Sequence, residues 1–355
     1  MACPRPLTLP ERPRILITRL SALGDCIHTL PVACALRRRF PGAYLAWLTQ
    51  PATAGLLEGH DCLDEVLTVE RGWLRSPTAV WALRRRLRGL ELDLTVDPQS
   101  LTKSAAAAWL SGARHRLGFQ GPQGRELSLW LNNRRVACRG THVVDRYLEL
   151  LGPLGIHGPP VEFRVPRDGT TAAVTQHLSD VHSPRGFAVL HPGAHWPSKC
   201  WPVERYGQLA QYLAARHALG VVITWGSDLE GKWAGEVQRL AAGHARVAPR
   251  LTLRDLAALL QAARLFVGSD TGPLHLAAAV GTRCVGLYGP SRPEVCGPYG
   301  PGHVALQTYY QAGSVRQRRR ASNHALRAIT LERVARACDR ALRQGAMGPL
   351  VGDAA

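Results

Sequence analysis

The sequence predicts two tandem α/β domains, each a parallel sheet wound with helices on both faces. Three observations carry this. Short apolar runs alternate with longer helical patterns up to about residue 150 and again from residue 187. A Gly- and Pro-rich stretch at 152–160 breaks the rhythm, and the connection between domains is placed there or just after it. A length of 355 residues suits about two domains.

In order, the apolar run 14–18 reads as the first strand. A helix is expected over 27–40, with Pro31 in its early turns and Arg37, Arg38 and Arg39 near its end, where cations suit the helix dipole. Strands follow at 44–48, 65–69 and 92–96, separated by helices at 77–90 and 104–110. The second half repeats the pattern, with strands at 187–190, 219–224, 265–267 and 283–287 and helices at 203–217, 230–242 and 253–263. Pro202 suits position N1 of the first of these helices, and Thr252 with Asp255 approximates a capping box on the last. A final helix is expected over 331–343. The expected domains are 1–166, 167–328 and a C-terminal helix and tail, 329–355, packing back on the first domain.

Composition narrows the function. Charged residues are 20% and hydrophobic residues 46% of the chain, the balance of a globular protein. The apolar run from Ile15 to Leu36 is broken by Arg19, Asp25 and His28, so it predicts neither a membrane span nor a signal-peptide core. A cytoplasmic protein is expected. Nine scattered cysteines without a C-x-x-C pair argue against a disulfide framework and a structural zinc. The net charge of +18 points to acidic partners such as phosphates, anionic lipid or nucleic acid. Lysine occurs only at 103, 199 and 232, against 41 arginines, which draws attention to Lys103 and Lys199 as compact ammonium groups.

Two open α/β sheets offer ligand sites at their carboxyl edges, so a cleft between the domains is the default site. Four segments sit where such edges belong. The first is Leu20 to Pro31, in which Gly24-Asp25 follows the first strand. A carboxylate there can accept a proton from a hydroxyl nucleophile, and a simple helix cap is the plainer alternative. The second is His191 to Pro202, where Gly193 frees the turn and Lys199 brings a mobile cation to the edge. The third, Asp270-Thr271-Gly272-Pro273-Leu274-His275, follows a buried strand and opens a helix of small residues. Asp270 and Thr271 occupy the N-cap region, and free N–H groups with the helix dipole behind them suit a nucleotide diphosphate. The fourth, Trp225 to Trp233, is a near miss to a P-loop. Trp233 replaces the magnesium-binding hydroxyl and Asp228 and Glu230 would repel phosphate, so an acidic ribose contact is the better reading. The basic run Arg316-Gln317-Arg318-Arg319-Arg320 is read as a solvated loop.

Together these segments resemble the lipopolysaccharide heptosyltransferases, glycosyltransferase family nine. The resemblance runs from about Arg14 to Arg343 and rests on Ser-Ala-Leu-Gly-Asp-Cys-Ile-His-Thr-Leu-Pro, Lys-x-Trp-Pro and Asp-Thr-Gly-Pro-Leu-His-Leu-Ala-Ala-Ala, in that order. The segment Asp97 to Ala105, Asn132-Asn133-Arg134 and the 142–150 helix look most like the enzyme that adds the first inner-core heptose.

The resemblance implies a GT-B fold, two Rossmann-like domains facing across a cleft, and inverting transfer of a heptose from ADP-heptose to a Kdo-lipid A type acceptor. Asp25 matches the catalytic base. Lys199 matches the donor-phosphate ligand, and Asp270, Thr271, Gly272 and His275 match the donor motif. Glu230 matches the ribose contact and Leu251 the adenine contact. Ala194 and His195 stand near the donor phosphates in place of the family's small hydroxyl residues. Lys103 and Arg125 are candidates for acceptor phosphate or carboxylate. Residues 311–329 lack the cysteine motif of many members, with His324 and Ala325 standing there instead.

One base and a stabilised leaving group suffice for a single in-line displacement. The implied enzyme therefore needs no metal and no cofactor, the ADP-sugar being a substrate. The expected partners are that donor, a phosphorylated glycolipid acceptor and, transiently, the anionic inner-membrane face, with no nucleic acid and a monomeric chain. The alternatives are another nucleotide sugar or glycan acceptor, or a non-catalytic nucleotide-sugar-binding protein.

Overall fold

The computed structural model of the chain describes residues 7–166, 183 and 185–344. Two compact units emerge, Met1–Pro166 and Arg167–Ala355. Each is built on a six-stranded parallel sheet flanked by helices, so each is a Rossmann-like, doubly wound domain.

In the first unit the chain runs β1 (Arg14–Thr18), α1 (Leu23–Arg39), β2 (Tyr44–Thr49), α2 (Pro51–Leu57), β3 (Glu65–Thr68), α3 (Pro77–Arg88), β4 (Leu94–Asp97), α4 (Thr102–Ser111), β5 (His115–Phe119), α5 (Ser128–Leu131), β6 (Arg134–Val136) and α6 (Val143–Glu149). The sheet order is β3-β2-β1-β4-β5-β6. Winding therefore reverses between β1 and β4. Right-handed crossovers then put α1 and α2 on one face and α3, α4 and α5 on the other. The packing agrees: α1 touches α2 and α6, while α3 touches α4 and α4 touches α5. The central strands are apolar on both sides, and Ile15, Leu16, Ile17, Leu94 and Val96 are all buried, as a doubly covered parallel sheet requires.

Helix α1 starts at Leu23, four residues before the expected Ile27. The cause is Asp25, whose Oδ2 accepts from the Ala22 backbone N–H at 3.3 Å and makes the turn helical from its outset. Pro31 thus lies inside the helix rather than in its first turns.

The second unit runs β7 (Phe187–His191), α7 (Val203–His217), β8 (Gly220–Ile223), α8 (Asp228–Leu240), β9 (Ala245–Val247), α9 (Leu253–Ala262), β10 (Leu265–Ser269), α10 (Gly272–Ala279), β11 (Cys284–Tyr288), α11 (Pro293–Cys296), β12 (Val304–Gln307), α12 (Val315–Arg320), α13 (His324–Arg327) and α14 (Leu331–Gln344). Its order, β12-β11-β10-β7-β8-β9, is the same winding with the reversal between β7 and β10. Thr252 and Asp255 form the expected capping box on α9. Pro202 is the N-cap of α7 rather than its first helical residue, its extended ψ of 133° keeping it outside the helix.

The C-terminal helix is not a separate segment. α14 packs on α7, β10, β11 and β12, and its Val334, Ala337, Cys338 and Ala341 belong to the second unit's core. Its amphipathic face matches that sheet, and Trp201 Nε1 donates to Ile329 O at 2.9 Å just before it. Residues 345–355, and Cys3, lie outside the described residues, as do 167–182 at the start of the expected second domain. The eight other cysteines are free thiols. No described helix is long and apolar enough to cross a membrane.

Candidate active site

In open α/β sheets, ligands bind outside the strand carboxyl ends where the winding reverses. In the first unit that point lies between β1 and β4, and the loops after these strands are joined by side chains. Leu20 N–H donates to Gln99 Oε1 at 3.0 Å, Arg19 Nη1 to Pro98 O at 2.9 Å, and Lys103 Nζ to Ser21 Oγ at 2.7 Å.

Asp25 sits at this junction. Arg19 Nη2 lies 2.8 Å from its Oδ1. Arg19 is itself buried, with Tyr147 Oη accepting from Nη2 at 3.1 Å and the Tyr147 ring 5.2 Å below the guanidinium. Burial opposes the arginine's charge, but Asp25, Tyr147 and other neighbours outweigh it and hold its pKa above the ordinary value. The Asp25 side chain is nevertheless 44% exposed, so its carboxylate is fixed in direction and still open to a solute.

A second carboxylate at the same edge, Asp97, has a different task. It is fully buried and accepts from Asn132 Nδ2 at 3.0 Å, Ser100 N–H at 2.8 Å and Gln99 N–H at 3.2 Å. Burial raises its pKa against these bonds. Asp97 therefore shapes the loop after β4 and offers nothing to a ligand.

Lys103 opens α4 beside Asp25. Burial first, then the neighbouring cations Arg19 and Arg71, push its pKa down. Arg125 has an exposed side chain on the loop after β5. That loop is tied to the start of α4, because Glu126 Oε2 accepts from Thr102 N–H at 3.0 Å and Thr102 Oγ1 at 2.6 Å. Arg19, Arg71 and Tyr147 escaped the sequence reading. Only an Arg at the end of a strand, one turn before Gly-Asp, could have hinted at the first.

In the second unit the reversal lies between β7 and β10, and again the two following loops are joined. Lys199 Nζ donates to Asp270 Oδ2 at 2.6 Å and to Asp270 O at 2.9 Å. Asp270 Oδ1 accepts from His275 Nε2 at 3.0 Å. Burial works against this carboxylate, yet His275 and Lys199 hold its pKa far below the usual range. Lys199 is thus anchored rather than mobile. Asp270 is also not the helix cap: Thr271 is, and its hydroxyl turns back to Ser269 O at 3.2 Å instead of capping the first turn. The N-terminus of α10 is left without a side-chain cap, with Lys199 held beside it. That arrangement suits a phosphate.

Glu230 is drawn into the same site from α8. Its Oε2 caps the helix, accepting from Gly226 N–H at 2.7 Å and Ser227 N–H at 3.2 Å. A Cβ on Gly193 would stand 2.4 Å from Glu230 Cδ, so this glycine is there to admit the carboxylate. Ala194 is buried beside it, His195 is exposed, and Leu251 is half-buried on the loop after β9.

The basic run 316–320 is solvated as expected, with only Arg318 half-buried, but it is helical rather than a loop. It forms α12, closed by a Ser314–Gln317 capping box and packed on the Pro197–Lys199 turn. Ser198 Oγ donates to Arg318 O at 2.6 Å, and Arg319 lies 5.2 Å from the Trp196 ring, 4.8 Å from which lies Lys199 Nζ. The segment adds cations beside the Lys199–Asp270 pair.

Among the described residues one group could gather metal-ligand atoms, His60, Asp61 and Cys62, on the loop after α2. His60 Nδ1 accepts from Cys62 N–H at 3.2 Å and Nε2 meets Phe163 O at 3.0 Å, so both ring nitrogens hold the loop together.

Residues 80–325 match the family model of glycosyltransferase family 9 (heptosyltransferase). The chain belongs to this family. It is a glycosyltransferase, and its two α/β domains make the GT-B fold. Among its relatives, lipopolysaccharide heptosyltransferase 1 of Pseudomonas aeruginosa is 31% identical over 305 residues, spanning 82% of this chain and 83% of that protein. The enzyme of the same name from Escherichia coli K12 is 29% identical over 307 residues, spanning 83% and 93%. The solved structure of E. coli heptosyltransferase WaaC with ADP-2-deoxy-2-fluoro heptose superposes with a TM-score of 0.72 at 25% identity, covering 92% of this chain and 99% of that one.

Proposed function

We propose that this family 9 enzyme transfers a heptose from ADP-heptose to a lipopolysaccharide inner-core acceptor of the Kdo-lipid A type, with inversion and with Asp25 as general base. The observation that carries the reading is the contrast between the two carboxylates after β1 and β4: Asp97 is buried and fully engaged, whereas Asp25 is oriented by Arg19 and open. The names of the relatives and the ADP-sugar analogue in WaaC support the donor and acceptor.

In the proposed step the acceptor hydroxyl loses its proton to Asp25 as its oxygen attacks the anomeric carbon. The bond from that carbon to the diphosphate oxygen breaks, and ADP leaves. The departing charge is met by the α10 N-terminus, Lys199 and the neighbouring cations of α12, and on this chemistry no resident cofactor is needed. Glu230 would hold ribose and Leu251 the adenine, while Lys103 and Arg125 would take an acidic group of the acceptor. The reading requires the hydroxyl held at Asp25 to reach the sugar carried by the second unit. It also puts the protein at the anionic inner-membrane face, where its acceptor resides.

A thermal-shift panel of ADP, UDP and GDP sugars tests the donor. ADP-heptose is expected to raise the midpoint most, and to lose that advantage in Lys199→Ala. A larger shift with a UDP or GDP sugar would overturn the donor assignment.

A further inference from the structure

Large apolar side chains are exposed in one place more than any other. Of the eight exposed large hydrophobic residues among those described, five fall between 74 and 130: Leu74, Trp81, Trp109, Leu127 and Trp130. They include all three exposed tryptophans, at 61%, 54% and 84% exposure. The winding of the first sheet gathers them, because α3, α4 and α5 lie side by side on one face and each carries one of the three.

The positions are not incidental to helix packing. On α3, Leu83 and Leu87 are buried in the core, and Trp81 stands among exposed Arg84, Arg85 and Arg88. Arg85, one turn on, lies 5.3 Å from the Trp81 ring. On α4 every residue but Trp109 is buried or half-buried, and its accessible line is Lys103, Ala106 and Trp109 at threefold spacing. That line runs about 9 Å, from the acceptor-side cation to the exposed indole. Trp130 stands out from the short α5.

The charge of this layer selects its partner. Residues 71–135, which carry this layer with the strands and loops that adjoin it, hold eleven arginines and one lysine against four acids, Glu91, Asp93, Asp97 and Glu126. Asp97 is buried, and Asp93 and Glu126 are tied to Arg14 N–H and Thr102. A second copy of this face would meet like charge with like. Tryptophans interleaved with arginines instead match the boundary of an anionic bilayer, where indoles sit at headgroup depth and cations find lipid phosphates.

We propose that the α3–α4–α5 layer is a membrane-docking face, in which Trp81, Trp109 and Trp130 enter the headgroup region of an anionic bilayer and the surrounding arginines hold its phosphates. It gives the lipid-acceptor reading a surface, and rests on that reading only for its purpose. Docked on this face, Lys103 lies at the end of a stripe that begins in the lipid.

The experiment uses the full chain and vesicles without donor or acceptor, so its outcome is independent of the transfer chemistry. Wild-type protein should cosediment with phosphatidylglycerol–phosphatidylcholine vesicles, less so as salt rises, and weakly with phosphatidylcholine alone. Brominated lipid should quench its fluorescence. The triple variant W81A/W109A/W130A should lose partitioning at least about tenfold, and lose the quenching, with unchanged thermal midpoint and ADP affinity. Arg84→Glu with Arg85→Glu should weaken binding to the anionic vesicles alone. Undiminished binding of the triple variant would overturn the proposal, as would absence of wild-type binding. So would a wild-type dimer that the triple variant disperses, which would make this face a contact between copies.

Discussion

Arg19 Nη2 approaches Asp25 Oδ1 to 2.8 Å from the buried side, so the carboxylate is aimed by a cation that solvent cannot reach. The two stand six positions apart in sequence, yet their geometry depends on Pro98 and Tyr147, which fix the guanidinium from the loop after β4 and from α6.

This pair predicts a split between stability and rate. Arg19→Leu should lower stability by about 2 kcal/mol, since it strands the bond acceptors Pro98 O and Tyr147 Oη and frees Asp25. At a temperature where the variant is fully folded, kcat should still fall at least about tenfold while the donor KM holds, and Arg19→Lys should recover part of it. A variant with a lower melting midpoint and unaltered kcat would make Arg19 purely structural.

Acid titration should expose Asp270. Its folded-state pKa is depressed by His275 and Lys199 despite burial, so the unfolded chain binds a proton more readily than the folded one. The resulting stability is fully present above the ordinary aspartate value of about 4, and is lost as pH falls below it toward the folded pKa. Denaturant unfolding below about pH 4 should therefore show a steeper loss in the wild type than in Asp270→Asn. Parallel curves would contradict the ion-pair account.

Much of this was legible in advance, for reasons that differ between elements. The central strands β1 and β7 begin where expected because apolar runs buried on both faces need no neighbour to declare them. Strands β5, β6, β9 and β12 did not announce themselves. His-Arg-Leu-Gly-Phe and Arg-Arg-Val are strands only because β4 and β5 offer them a ladder. The Asp25 and Asp270 loops were visible as strand–turn–helix segments, but not which partner each carboxylate would take. That depends on Arg19, Lys199 and His275 meeting them through the fold. Helix α12 carries its own signal, since Ser314-Val-Arg-Gln317 is a capping box ahead of the arginines that dominate the segment.

Gly193 offers a test of the donor side. Alanine there must displace Glu230, whose Cδ would lie 2.4 Å from the new Cβ. Gly193→Ala should raise the donor KM several-fold, with the acceptor KM unchanged and Glu230→Ala adding little further loss. Steady-state kinetics against each substrate in turn reads this. Additive effects of the two changes would separate Gly193 from Glu230.

The most direct measurement is turnover and ADP-heptose affinity in Asp25→Asn, a change that leaves an oxygen to accept from Arg19 and avoids stranding that buried cation. The account predicts that kcat falls by about 10²–10⁴-fold, while calorimetric donor affinity stays within about twofold of wild type. A variant that still turns over at the wild-type rate would show that the proton goes elsewhere, and would contradict the central claim.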